Sequence, residues 1–530
     1  MKKAMKKLMA ALLAVAMVCA MAIPAWADDT GTASTGTNTL TINGTTEGHT
    51  YEAYQVFKGK LNNGVLSDIQ WGDDVNGAAI LIDSDLPTTL QNQPSAAALA
   101  AKLEGLGDGS DVVNTFAKVV SKYIKEPAKH TSTASGKKYT ISNLPDGYYF
   151  IKDATDTMPE GATYSRYMLN IVKSMEINAK DTSVTLNKEI YHNDTSSWGV
   201  VGDNQIGDTV EFRTITKVPD TAGYTKYDYI IHDTMSAGLT SNVTSSADVT
   251  IKVNDTTVLT TEYYIVTATG NSFSATVDIL QAIADGKMNA NDQLYTYYTG
   301  VLNTDAKVYD EGKQDNVAYL EYSNNPHVDT EKGKTPEKKV YDWTFKMGIN
   351  KVNENGGQLT GAKFALSKNG TLKVADMNCN DEGIPAVTTG LIAMVKISDG
   401  EYRVAVDGDT NVVYVVDAGN PVIKGLDDAV DYYLYETKAP AGYNLLSEPV
   451  HFKISAAYNE DGSNYTDVTV TVGAAAASNT LSANVVNKSG STLPETGGIG
   501  TTIFYVLGSL LVVGAGVVLI TRKRMGKSEN

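Results

Sequence analysis

Cysteine is nearly absent from this 530-residue chain, which contains two such residues, Cys19 and Cys379. Cys19 lies in an apolar N-terminal run, so a processed and exported chain keeps one cysteine and forms no intrachain disulfide. Histidine is also scarce, and its six residues show no metal-ligand spacing. The sequence has no nucleophile elbow and no glycine-rich phosphate loop. We therefore predict a protein without metal, cofactor or enzymatic activity.

Basic residues are few in comparison with acidic ones. The chain has 44 Lys and Arg against 61 Asp and Glu, for a net charge of −17. Removing the four lysines of residues 1–27, and the four cations and Glu529 after position 496, takes the net charge to −24. Such acidity disfavours nucleic acid and anionic lipid as partners, and it favours solubility outside the cell.

Long apolar runs are confined to the two ends of the chain. Four lysines within the first seven residues precede an apolar run over residues 8–23, and the small residues Ala25 and Ala27 follow it. A charged segment, an apolar segment and small residues at a cleavage site are typical of a secretory signal peptide. We predict a signal peptide over residues 1–27 and a mature chain that begins at Asp28.

The C-terminal apolar run, Ile503–Ile520, precedes three cations at 522–524. It follows the string Leu-Pro-Glu-Thr-Gly at 493–497, and a plain membrane anchor with a chance pentapeptide is the alternative interpretation. Placed here, the string resembles the cell-wall sorting signal of Gram-positive surface proteins, over 493–530. The resemblance implies that a sortase cleaves between Thr496 and Gly497 and that the chain becomes attached to peptidoglycan.

Short runs rich in Val, Ile, Tyr and Thr alternate with turn clusters rich in Gly, Asn, Asp and Thr between the two ends. Tyr227–Ile231 and Val412–Val416 are two such runs, and the pattern favours antiparallel β-sandwiches. Helix-like apolar spacing occurs in Ser95–Leu106, Val112–Ile124 and Phe273–Ile283. We predict an all-β protein of tandem immunoglobulin-like sandwiches with these few helices inserted.

The mature length of about 470 residues leaves room for about three domains. Composition shifts at 180–183, and again at Asp329–Lys339, where charges and Pro336 replace apolar alternation. We predict an N-terminal domain over 28–183, a middle domain over 184–331 and a C-terminal domain over 340–488.

The third predicted domain carries three segments with a specific family resemblance. They are Ile349–Val352 followed by Leu359–Leu366, the string Tyr433–Tyr443 (YLYETKAPAGY), and Asn484–Lys488. They resemble the opening strands, the E-box and the last strand of the Cna B-type domains of Gram-positive pilins and adhesins. The resemblance implies an intramolecular isopeptide bond between Lys351 and Asn487, assisted by the carboxyl group of Glu436.

Such a bond requires these three residue types. Burial lowers the pKa of a Lys amine, so that the neutral amine can act as a nucleophile. Burial also keeps a carboxyl group protonated, so that it can polarise an Asn amide and shuttle protons. Attack on the amide carbon expels ammonia and leaves a covalent tie between strands. A surface ion pair between Lys351 and Glu436 is the alternative interpretation.

The second predicted domain resembles the middle domain of backbone pilins. The resemblance is carried by Val184–Lys188, Ile206–Asp208, His232–Leu239 and Asn316–Asn325. Strand alternation places Lys188, Asp233 and Asn316 each on a face with apolar companions. The resemblance implies a second isopeptide bond, from Lys188 to Asn316 with Asp233 as the acid. Asn324 shares the parity of Asn316 and is the alternative acceptor, and a solvated Lys beside a turn Asp is the alternative to any bond.

The first predicted domain carries weaker signals. Tyr139–Phe150 resembles a late hairpin of a B-type sandwich, but the acidic position that follows is Asp153, without the Glu-Thr of an E-box. We expect no isopeptide bond in this domain.

A lysine near the end of the first domain is the candidate for polymerisation. The sequence from Ile171 to Lys180 has the spacing of the backbone pilin motif but lacks its aromatic residue, its Tyr and its Pro. Its position, just before the second domain, nevertheless matches the motif, and we predict that Lys180 is the acceptor amine. Lys173 is the alternative lysine, and a solvated linker lysine is the alternative role for Lys180.

Taken together, these resemblances predict the backbone subunit of a covalently polymerised surface fimbria. Its implied partners are a sortase, neighbouring copies of the same chain, peptidoglycan, tip and base pilins, and host surface ligands that support adhesion. A monomeric wall-anchored adhesin would use the same signals without Lys180 and is the alternative function.

Overall fold

The chain forms three successive β-sandwiches and a C-terminal helix in a computed structural model. The model describes residues 37–44, 46–154, 158–179, 184–221, 224–325, 330–490 and 499–525. The predicted signal peptide, Lys180, Thr496 and Gly497 lie outside the described residues.

The first domain packs a four-stranded sheet against a five-stranded sheet. The order is β5-β6-β1-β9 in one sheet and β3-β2-β7-β8, with β4 beside β2, in the other. The strands are β1 Asn38–Asn43, β2 Tyr51–Asn62, β3 Val65–Trp71, β4 His130–Thr131, β5 Thr133–Ser135, β6 Lys138–Leu144, β7 Gly147–Asp153, β8 Arg166–Ile171 and β9 Met175–Asn178. Because β6 and β7 lie in different sheets, the predicted hairpin at Tyr139–Phe150 is instead a crossing between sheets.

Three helices are inserted between β3 and β4 of the first domain. They are α1 Gly77–Ile82, α2 Ala96–Leu103 and α3 Asp111–Lys122. Ser95 and Ser110 cap α2 and α3 by accepting hydrogen bonds from backbone N–H groups of the first turn. Phe116 of α3 stacks on Phe57 of β2, so the helices form their own apolar layer on the outer side of one sheet. Both predicted helices of this domain are present, and α1 is additional.

The second domain consists of two seven-stranded sheets. One has the order β11-β10-β13-β20-β16-β17 with β15 beside β20, and the other has the order β12-β23-β21-β14-β19-β18 with β22 beside β21. The elements are β10 Leu186–His192, β11 Ser197–Gly199, β12 Val201–Asp203, β13 Thr209–Lys217, β14 Tyr229–Met235, β15 Leu239–Ser241, β16 Thr250–Val253, β17 Thr257–Leu259, β18 Tyr264–Thr269, β19 Ser272–Val277, α4 Ile279–Ala284, β20 Gln293–Leu302, β21 Gln314–Ser323, β22 Lys332–Lys334 and β23 Lys338–Trp343.

Two sequence predictions change in this domain. The predicted linker Asp329–Lys339 contributes β22 and the start of β23, which pair with β21, so the sheet extends to Trp343 and beyond the predicted boundary at 331. The exposed lysines of this segment give it a linker-like composition. Val340, which follows these lysines, and Trp343 are nevertheless buried. The predicted helix Phe273–Ile283 is strand β19 followed by the short helix α4, because its first apolar residues alternate with period two.

The third domain packs a six-stranded sheet, β28-β26-β27-β30-β24-β34, against a five-stranded sheet, β29-β25-β31-β32-β33. The strands are β24 Phe345–Asn353, β25 Lys363–Ser367, β26 Met394–Ser398, β27 Glu401–Val404, β28 Val412–Val413, β29 Val416–Asp417, β30 Val422–Leu426, β31 Asp431–Lys438, β32 Val450–Tyr458, β33 Tyr465–Val472 and β34 Ser482–Asn487. The run Val412–Val416 is therefore divided between two sheets. The apolar core of this domain is continuous with that of the second domain.

A helix, α5 Ile499–Met525, ends the described part of the chain. Its segment Phe504–Lys523 has a mean hydropathy of 2.3 and is long and apolar enough to cross a membrane. By length and composition it therefore fits the span predicted for the sorting signal.

Candidate cross-linking sites

Lys188 and Asp233 of the second domain meet between its two sheets. Lys188 lies on β10 of one sheet and Asp233 on β14 of the other, and both side chains are fully buried. The Lys188 Nζ is 2.5 Å from the Asp233 Oδ2. The alternation that predicted their inward direction is therefore present in the burial pattern of both strands.

Burial governs the protonation of this pair. It lowers the pKa of the Lys188 amine and raises the pKa of the Asp233 carboxyl group, although the attraction between the two opposes both shifts. Each shift favours the uncharged form. A neutral amine and a neutral carboxylic acid in contact are the nucleophile and the acid that attack on an Asn side-chain amide requires.

Tyr298 completes this cluster and was missed by the sequence analysis. It lies on β20, is buried, and its hydroxyl hydrogen-bonds with both Lys188 Nζ and Asp233 Oδ2. Burial, followed by the charge of Asp233, raises the pKa of Tyr298 well above its usual value, so the phenol keeps its proton. Its parity with the buried Leu294 and Thr296 was the available signal.

Asn316 lies beside this cluster on β21, which pairs with β14. It is completely buried, and neither its Oδ1 nor its Nδ2 has a hydrogen-bond partner among the described residues. Asn316 nevertheless lowers the pKa of Asp233 and that of Tyr298. Burial is the larger effect and raises both pKa values. Asn324 follows the end of β21, eight residues or roughly 26 Å further along an extended chain. The structure thus places Asn316 close to Asp233 and Tyr298, and Asn324 beyond the end of the strand.

Lys351 and Asn487 of the third domain lie on neighbouring strands of one sheet. Strands β24 and β34 are parallel, with Lys351 opposite Val485 and Asn353 opposite Asn487. The Lys351 Nζ donates a hydrogen bond of 3.0 Å to the Val485 carbonyl oxygen and contacts the Asn487 Oδ1. Burial lowers the pKa of Lys351, against the attraction of Glu436.

Glu436 reaches this pair from β31 of the opposite sheet. Its Oε1 is 3.4 Å from the Lys351 Nζ, and its Oε2 accepts a hydrogen bond of 3.0 Å from the Asn487 Nδ2. The same Nδ2 donates to the Asn444 carbonyl oxygen at 2.7 Å, a contact that the sequence did not predict. One carboxyl group thus touches both the amine that would attack and the amide nitrogen that would leave.

The first domain holds a buried acid with a different partner. Asp153 of β7 is 2.8 Å from His49 Nδ1 and accepts a hydrogen bond from the Ser165 backbone N–H. Lys152 beside it pairs with Glu52 and Glu126 on the outside of the sheet. The absence of an isopeptide bond from this domain stays a prediction.

Of the two candidate polymerisation lysines, only Lys173 lies in the described part of the chain. Lys173 is exposed in the connection between β8 and β9. Lys180 lies outside the described residues, but Ala179 before it is tied to Asn43 by a backbone hydrogen bond of 2.8 Å. Val184 after it donates a backbone hydrogen bond to Gly161. The described residues on either side, Ala179 and Val184, are thus both hydrogen-bonded to residues of the first domain.

Comparisons with known proteins identify two regions of the chain. Residues 345–469 match the SpaA family, a prealbumin-like fold domain, and residues 485–525 match the LPXTG cell wall anchor motif. The fimbrial subunit type 1 of Actinomyces viscosus is 26% identical over 294 residues, which cover 50% of this chain and 51% of that protein. The chain thus spans about half the length of the curated relative it matches.

A solved structure covers more of the chain. The T6 backbone pilin of serotype M6 Streptococcus pyogenes, described as a modular three-domain structure, aligns with 86% of this chain and 99% of its own length, at a TM-score of 0.50 and 16% identity. At this identity the likeness concerns the fold. The matches confirm the predicted all-β class, the pilin resemblance and the cell-wall anchor, and the families that match are structural and not catalytic.

Proposed function

We propose that this chain, a wall-anchored surface protein with tandem pilin-type β-sandwiches, is the backbone subunit of a covalently polymerised fimbria. The observation that carries the proposal is the pair of buried Lys–acid–Asn clusters in a chain that bears a sorting signal. Such clusters suit a load-bearing shaft that lacks disulfides. The similarity to a fimbrial subunit supports the same function.

Polymerisation would use Thr496, at the C-terminal end of the mature chain, and Lys180, near the end of the first domain. A sortase thiolate attacks the Thr496 carbonyl carbon, the peptide that begins with Gly497 leaves with the membrane span, and the subunit is held as a thioester. The neutral ε-amine of Lys180 on a neighbouring copy attacks that thioester. An amide bond forms, the thiolate is released, and repetition gives a heterologous contact that does not close. An amine of the peptidoglycan precursor resolves the last thioester and anchors the fibre.

The third-domain bond would form by attack of the neutral Lys351 amine on the Asn487 side-chain carbon. Glu436 takes a proton from the attacking nitrogen and delivers it to the leaving nitrogen. Ammonia leaves and an amide joins the two side chains. The contacts of the two Glu436 oxygens with the two nitrogens support this role.

The second-domain bond would follow the same route with Lys188, Asn316 and Asp233. Here Tyr298 bridges the amine and the acid, so a proton can pass from Lys188 through the phenol to Asp233. The bond would join the two sheets of the domain, whereas in the third domain it would join two strands of one sheet. Both reactions are single-turnover modifications of the chain itself.

The test of the polymer is the mass distribution of boiled cell-wall extracts. A backbone subunit gives a ladder of very high mass species that resists boiling in detergent, because its links are amide bonds. A single band at the monomer mass would show instead a wall-anchored adhesin. Tip pilins, base pilins and host ligands belong to this proposal as partners that the ladder test does not identify.

A further inference from the structure

Three carboxylates come together where the second domain meets the third. Asp203 ends strand β12 of the second domain, and Asp427 and Asp428 directly follow β30 of the third. Each offers one oxygen atom, and these atoms lie within 4.8 Å of one another. Residues more than two hundred positions apart in the chain thus form one acidic cluster.

This cluster is buried and incompletely bonded. Asp203, Asp427 and Asp428 are 1%, 5% and 4% exposed. Asp427 Oδ1 and Asp428 Oδ1 have no hydrogen-bond donor among the described residues. A buried carboxylate oxygen without a donor is costly, since it loses its hydration and gains nothing in return. Two such oxygens on adjacent residues of one acidic cluster favour a bound cation.

Among the described residues, no lysine or arginine forms an ion pair with these three carboxyl groups. In the described part of the chain, the group in ion-pair contact with the cluster is His192, whose Nε2 is 3.2 Å from Asp203 Oδ2 and which is charged only when protonated. Hydrogen bonds also reach the cluster from the Tyr458 hydroxyl to Asp203 at 3.4 Å and from the Ala456 N–H to Asp428 at 2.8 Å.

We propose that Asp203, Asp427 and Asp428 bind a calcium ion that joins the second and third domains. Calcium prefers oxygen ligands, tolerates irregular geometry and completes its coordination with water. The exposed Asp194, which groups with His192 and Asp203 within the same distance, provides a polar route from solvent. A cation here satisfies the unpartnered oxygens and removes the repulsion between the carboxylates.

The position of the site defines what the ion does. Asp203 is bonded into the sheet of the second domain, where β12 pairs with β23. Asp427 and Asp428 lie in the turn between β30 and β31 of the third domain. Hydrogen bonds between Ile206 and Gly425, and between the Trp343 indole and Gly462, already join the two domains. Calcium therefore stiffens an existing junction.

The test compares the mature chain with and without calcium after treatment with a chelator. We expect one calcium ion bound per chain by titration calorimetry and a rise in melting temperature of roughly 5 °C at saturating calcium. Asp203→Asn and Asp428→Asn each remove one ligand charge and should abolish both responses. Asp381→Asn, which changes an exposed acid of the third domain, is the matched control and should keep them.

The calcium-free variants provide the second measurement. Because Asn removes a buried charge and keeps an oxygen that can accept hydrogen bonds, calcium-free Asp428→Asn should melt no lower than calcium-free wild type. Three results would overturn the proposal: no response of wild type to calcium, an unchanged response in both variants, or a calcium-free Asp428→Asn that melts well below wild type. The last would mean that Asp428 stabilises the junction without a cation.

Discussion

The Lys351 Nζ contacts the Oδ1 of Asn487, a residue 136 positions later in the chain and on the neighbouring parallel strand. The first and last strands of the third domain are thereby held at one point. In the second domain Lys188 likewise lies on the first strand and Asn316 on a late strand, but of the opposite sheet.

Intact mass measures both proposed bonds at once. Each bond releases one ammonia, so the mature chain should weigh roughly 34 Da less than its sequence, at roughly 17 Da per bond. Asp233→Ala and Glu436→Ala should each retain one loss, because each removes one acid. A wild-type mass equal to that of the unmodified chain would remove both bonds from the proposal.

Glu436→Ala should prevent the third-domain bond and destabilise that domain. A tie across so long a loop contributes about 4–5 kcal/mol when loop entropy is the main term. We expect a lower melting temperature and faster proteolysis of the third domain. The control is Glu448→Ala, an exposed acid that lines the same cavity of about 420 Å³ beside Glu436. A Glu436 variant that keeps its mass loss and melts like wild type would exclude Glu436 as the acid.

Tyr298→Phe should slow the second-domain bond and leave the domain folded, because the ring remains and the bridging hydroxyl is lost. Proton transfer by a positioned group is worth about 100-fold or more. The measurement is the rate of ammonia loss when chain recovered unfolded from inclusion bodies is refolded by dilution. Tyr229→Phe removes another buried hydroxyl of this domain, bonded to the Lys217 carbonyl, and should react at the wild-type rate. Equal rates for all three proteins would exclude a proton relay through Tyr298.

The pH profile of the same refolding reaction should be bell-shaped. The reaction needs the neutral amine of Lys188, whose pKa burial lowers, and the neutral acid of Asp233, whose pKa burial raises. Falling pH protonates the amine, and rising pH ionises the acid, so the rate drops on both sides. A rate that rises steadily with pH would show that an acid is not required.

Lys180→Ala should abolish the ladder and leave monomer attached to the wall through Thr496, since the wall precursor brings its own amine. Lys180→Arg should fail equally, because a guanidinium stays protonated and is a poor nucleophile. Lys173→Ala is the matched control and should polymerise normally. A ladder that survives Lys180→Ala and is lost in Lys173→Ala would assign the reaction to Lys173.

Local sequence patterns predicted which side chains of the second-domain site face its core. Strand alternation placed Lys188, Asp233 and Asn316 on buried faces, and the burial patterns agree. Tyr298 was missed by the sequence analysis because β20 also carries Tyr295 and Tyr297 on its other face. Only the packing of the two sheets against each other determines which phenol reaches Lys188. The proximity of Asp203 to Asp427 depends on how the second and third domains pack against each other. The alternation of residues within a strand does not encode that packing.

The two proposed bonds determine the path of tension along the fibre, because each joins an early strand of its domain to a late one. With the proposed bonds in place, a pull enters each subunit at Lys180, passes from Lys188 to Asn316, crosses from Lys351 to Asn487 and leaves at Thr496. Residues 189–315 and 352–486 then bear no load, and neither does the first domain, which precedes Lys180. Forced extension is limited by how fast the loaded segments unfold. A pulled fibre can therefore lengthen only by the segments between the bonds, and the middle one of these carries strands β21 to β23 and the start of β24, which pair within the sheets of the second and third domains.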